Sequence, residues 1–109
     1  MAEPTLQQVF GANATQDANT ITISKADLTS VGLTSSATNR AEQLFVAILL
    51  KAADYLNSTN QGTDNDIQVT IEDGFLSIVS RNNSNYRQNS YTVNLQKLDT
   101  SSTIDPDDY

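Results

Sequence analysis

Cysteine and histidine are both missing from this 109-residue chain. Without cysteine there are no disulfides, thiolate nucleophiles, iron–sulfur clusters or thiolate zinc sites. Without histidine the usual general base near neutral pH and the commonest metal ligand are gone. Cationic charge is sparse as well. Six Lys and Arg stand against 13 Asp and Glu, giving a net charge of −7. Lys25, Arg40, Lys51, Arg81, Arg87 and Lys97 are scattered along the chain. Nucleic acid and anionic membranes are bound through clustered cations, so neither is expected as a partner. The longest apolar run, Leu44 to Leu50, has seven residues, whereas a membrane-spanning helix takes about 20. The N-terminus shows no basic region followed by an apolar stretch, the pattern of a signal peptide. A cytoplasmic or virion-associated location is the expectation. The four glycines are far apart, which argues against a phosphate-cradling loop.

Neutral polar side chains fill the space. Thr, Ser, Asn and Gln account for 43 of the 109 residues, and only 38% of the chain is hydrophobic. A chain of this size forms one domain. The boundaries read as a polar N-terminal arm over 1–19, a domain over 20–98 and an acidic, flexible tail over 99–109.

Within the arm, Pro4 opens a short helical turn and Gly11 ends it. Leu6, Val9 and Phe10 fall on one face of that turn. They are candidates for docking on a neighbouring subunit, since three apolar side chains on a free tail would otherwise stay wet. Thr20–Ile23 is β-branched throughout and reads as a strand.

The strongest element is a helix over about 39–57. Asn39 and Glu42 form a capping pair at its start. Ala41, Leu44, Phe45, Ile48, Leu49, Ala52, Tyr55 and Leu56 follow helical spacing. Val46, Leu50 and Ala53 widen the apolar face beyond the usual arc of ~100°. The excess has to be covered by other elements or by a second copy, and Val46 and Leu50 are the candidate self-association residues on it.

Asn57–Asn65 reads as a loop. Ile67, Val69 and Ile71 then alternate with polar residues as a strand. Asp73-Gly74 is a hairpin turn signal. A return strand carries Leu76 and Ile78 on one face and Phe75 and Val79 on the other. Asn82–Asn89 reads as a longer turn. Tyr91, Val93 and Leu95 form a third strand, completing a meander over 66–96.

The order β-α-β-β-β implies an α+β two-layer sandwich, with one long helix packed on an antiparallel sheet of three to four strands. Where the first strand pairs is open. Among candidate sites, Asp64, Asp66, Glu72 and Asp73 are the densest acidic group. They lack the glycine and closing glutamate of a calcium loop and read as solvated turn acids. Asp27 and Asp54 have local structural roles. Arg81, Tyr86, Arg87 and Tyr91 cluster in sequence around the second turn. They suit a protein-recognition surface, because Tyr and Arg are enriched at binding hot spots. No catalytic, metal-binding or cofactor-binding residue is assigned, and no cofactor is expected. The expected function is that of a non-enzymatic structural or assembly subunit forming homo-oligomers, such as a small virion, tail or shell component. The alternative is a protein-binding adaptor using the 81–91 surface or a sheet edge.

Overall fold

A computed structural model describes residues 3–97 and 106–109. The chain is α+β, with one long helix and two antiparallel two-stranded sheets. Helix α1 (Leu6–Phe10) starts at Thr5, whose hydroxyl accepts from the Gln8 backbone while the Gln8 side chain accepts from the Thr5 N–H. Strands β1 (Thr15–Gln16) and β2 (Ile21–Thr22) form a small hairpin. The first strand therefore pairs with the N-terminal segment. A 3-10 segment, Lys25–Val31, leads by way of a loop to α2 (Ala41–Tyr55).

The start of α2 departs from expectation by one residue. The Asn39 amide is used within the preceding loop, accepting from the Ser36 N–H and donating to the Thr34 carbonyl. Arg40 thus becomes the cap, and the Gln43 side chain accepts from its N–H at 3.2 Å. Beyond α2, Asn57 caps a one-turn helix, α3 (Ser58–Gln61), by accepting from the Asn60 N–H. This turn of helix lies in the segment that reads as loop.

The expected three-stranded meander is a single long hairpin, β3 (Val69–Arg81) with β4 (Ser84–Leu95). Its turn is Asn82-Asn83, with both φ angles positive (53° and 62°). A two-residue hairpin loop of this hand demands that geometry, and asparagine tolerates it better than most residues. Asp73-Gly74 lies inside β3, where the register changes: Asp73 pairs with Tyr91, and Leu76 pairs with Asn89. Gly74 and Phe75 together oppose Ser90, which makes a β-bulge. A Cβ on Gly74 would approach the Ser90 carbonyl oxygen to 2.8 Å, so the close strand approach requires glycine.

Two small cores hold the body together. Val9, Ala52 and Ile71 join α1, α2 and the base of β3, with Phe10, Leu49 and Leu56 packed around them. Leu28, Leu33 and Ala47 join the 3-10 segment to α2. The N-terminal stretch is accordingly part of the fold. Val9 is buried in the chain's own core with Phe10 packed against it and Leu6 partly buried, so this apolar trio is not held out as an arm. Gly11 and Asp27 lock this stretch in place. The Asp27 carboxylate accepts from the Asn13 backbone and side chain at 2.8 and 3.0 Å. A Cβ on Gly11, whose φ is +118°, would meet Asp27 at 2.5 Å.

The helix is not laid across a sheet as a two-layer sandwich would have it. Only the base of the hairpin meets it, where the Ile71 N–H donates to the Leu56 carbonyl at 2.8 Å. From Asp73 to Gln96, Val79 and Ser90 alone are partly buried. The radius of gyration is 16.2 Å, against about 13 Å for a compact chain of this length. The accessible surface is 7991 Å², roughly 2,000 Å² above that of a globular monomer of this mass. Of the expected acidic tail, residues 99–105 lie outside the described residues, and Pro106–Asp108 form a 3-10 turn.

Candidate assembly surface

Two surfaces remain uncovered. The first is a trough along α2. Gln43, Val46, Ala47, Leu50, Ala53 and Asp54 recur at i, i+3, i+4, i+7, i+10 and i+11, a single helical stripe. Two open hollows of about 430 and 450 Å³ follow this stripe end to end and share Val31 and Leu50. The 3-10 segment forms one wall. The base of the hairpin, at Ile71–Asp73 and Tyr91, closes the far end. The floor is apolar, with Val46 50% exposed. The rim is acidic: Glu42, Asp54, Glu72 and Asp73 line it, against Arg40 on the rim and Lys51, whose ammonium reaches the Ser30 hydroxyl of the wall at 3.4 Å.

The second surface is the hairpin itself. Its register sorts the side chains. One face carries Val69, Ile71, Asp73, Leu76 and Ile78, opposite Leu95, Val93, Tyr91, Asn89 and Arg87. The other face carries Phe75, Val79 and Tyr86 among polar residues. Strand side chains alternate, so odd-numbered Val69 and Ile71 would ordinarily face away from even-numbered Leu76 and Ile78. The extra residue at the bulge shifts the phase by one and puts all four on the same face. The stripe continues into the part of the hairpin that has left the body. Leu76 is 59% exposed, Ile78 63% and Phe75 88%.

The candidate recognition residues are divided between the two faces. Arg81 stacks on Tyr86, its guanidinium carbon 4.3 Å from the ring centroid, on the face of Val79. Arg87, paired with Ile78, and Tyr91, paired with Asp73, occupy the other face. The four do not form one surface around the turn. Of the candidate self-association residues, Val46 and Leu50 both line the trough, while Leu6, Val9 and Phe10 belong to the N-terminal packing. Phe45 is 68% exposed and lies off the stripe. Sequence reasoning passed over Leu76, Ile78 and Phe75 as surface residues, because a turn at Asp73-Gly74 would have folded them back onto a sheet. The change from odd to even spacing across that dipeptide was the available signal.

Three carboxylates away from the trough, those of Asp17, Asp27 and Asp64, bind backbone. Asp17 accepts from the N–H groups of Asn19 and Thr20 and from the Thr20 hydroxyl, and these hydrogen bonds hold its pKa below the ordinary value. Asp64 accepts from the Asp66 N–H. Glu72, at the trough rim, also accepts from the Ser58 N–H at 2.7 Å, next to the start of α3. No group of three or more metal-ligating side chains is brought together among the described residues, and no helix there is long and apolar enough to cross a membrane. The chain matches no family model, no curated protein and no solved structure.

Proposed function

We infer that the protein is a non-enzymatic assembly subunit that forms homo-oligomers, a building block for a small repeating structure such as a virion, tail or shell. The observation that carries this reading is the projecting hairpin. Burying an exposed Leu or Ile side chain is worth about 1.5–3 kcal/mol, and among the described residues nothing covers Leu76 and Ile78. Large contiguous apolar patches on a protein surface commonly mark interaction sites. In this reading the three- to four-stranded sheet over a helix is completed between copies, with a second molecule's strands covering α2. The abundant Ser, Thr, Asn and Gln supply hydrogen-bonding contacts that need little charge.

A protein-binding adaptor is the second reading. What favours it is that, among the described residues, β3 and β4 pair only with each other, which leaves two long edges able to accept an extended peptide. Size-exclusion chromatography with light scattering separates the two. The assembly reading requires a species above one chain's mass of 11.8 kDa. A strict monomer at millimolar concentration overturns it and leaves the adaptor.

A further inference from the structure

Building on the assembly reading, we propose that the copies associate head to tail, the outer half of one molecule's hairpin seated in the α2 trough of the next. Charge selects this pairing. Residues 74–96 contain Arg81 and Arg87 and no carboxylate, so this stretch carries +2 within a chain of −7. The rest of the chain is correspondingly more acidic, and the trough gathers four carboxylates against Arg40 and the neighbouring Lys51, an excess of negative charge. Hairpin against hairpin through the Leu76–Ile78 face would set one Arg87 guanidinium against the other, with Arg81 on the opposite face. Hairpin against trough brings Arg87 to carboxylates, and complementary potentials of this kind fix which surfaces meet.

Dimensions agree with the charge. Leu76 to Arg81 spans about 17 Å as a strand. The stripe from Gln43 to Asp54 also spans about 17 Å as a helix. Leu76, Ile78 and Arg87 share the face that would enter, two apolar side chains beside a cation. The trough offers the matching surface, an apolar floor at Val46 and Leu50 beside Asp54. A hairpin-to-trough contact that is not reciprocated is heterologous and propagates into a ring or a filament, whereas one that is reciprocated closes as a two-fold pair.

Complementation tests this. One variant, Ile78→Asp with Arg87→Glu, disables the hairpin, and another, Val46→Lys with Asp54→Lys, disables the trough. All four positions are surface-exposed, and circular dichroism matching the wild type verifies the fold. Should the trough double variant fail that check, Asp54→Lys alone takes its place. Each variant alone is expected to run as a monomer. Mixed in equal amounts they are expected to form a species of about twice 11.8 kDa and stop there, since one intact hairpin meets one intact trough. A trough variant that still assembles like the wild type, or a mixture that stays monomeric while the wild type assembles, overturns the head-to-tail pairing and leaves the assembly reading standing. A wild-type chain that is monomeric at millimolar concentration overturns both.

Discussion

Single side chains in this protein mostly tie backbone to backbone. Asp27 spans from the 3-10 segment to Asn13 and, with Gly11 pressed against it, turns the N-terminal segment back onto α2. The sequence shows Asp27 as a helical-turn residue but gives no hint of a partner 14 positions away. Long-range polar pairs leave no periodic trace. Asp17 is the more local case, closing the turn between β1 and β2. Its carboxylate is favoured in the folded state, so its folded pKa lies below its unfolded one. Its contribution to stability is complete above the unfolded value and is lost as the pH falls through the lowered folded value. Asp17→Asn should therefore flatten the acid limb of a stability-against-pH curve measured by urea unfolding, with little change in its slope near neutral pH. An unchanged acid limb would mean that the turn does not depend on the ionised carboxylate.

At the level of elements, α2 was legible because its periodicity runs for four turns and no loop feature overrides it. The strands were legible too, but their connection was not. Asp-Gly marks tight turns because glycine takes up unusual backbone conformations, and it marks bulges because glycine permits close approach of the partner strand. Nothing local tells the two apart. The alternation of apolar residues does, once the strands on either side are compared: 69 and 71 are in phase with 76 and 78 only if one residue is skipped. This leads to a prediction. Deleting Gly74 removes the need for the bulge, so the ladder should become continuous while Val69–Leu95 and Ile78–Arg87 remain paired. Cross-strand backbone NOEs report the pairing directly. Loss of the Ile78–Arg87 pair on deletion would show that the bulge itself positions the outer half. Asn82-Asn83 was the other half of the misreading: placing the turn early stretched the second turn to eight residues, when two sufficed.

On the scale of the whole molecule, the body is small and the hairpin leaves it. The body's two cores contain eight buried apolar residues with Ala14 and Ile67 counted in, and several of those are alanines. A fold with so little buried apolar volume gains from any neighbour that covers more. If copies bind the folded chain and not the unfolded one, stability rises with concentration by mass action. The melting temperature should therefore climb over a hundredfold range of protein concentration, and should stop doing so in the Ile78→Asp, Arg87→Glu variant. A melting temperature independent of concentration in the wild type would count against self-association. The helix's surplus of apolar face was readable in advance. That a strand pair would stand clear of the body was not, because the sequence does not reveal how far a hairpin is carried from the helix beside it.

The two bare margins of the long hairpin have a further consequence. Neither β3 nor β4 contains proline or lysine, the residues by which edge strands commonly discourage unwanted neighbours. Left uncovered, these margins offer a template for cross-β stacking. Correct docking and amyloid-like growth would compete for the same stretch of polypeptide, and the outcome would turn on which is faster.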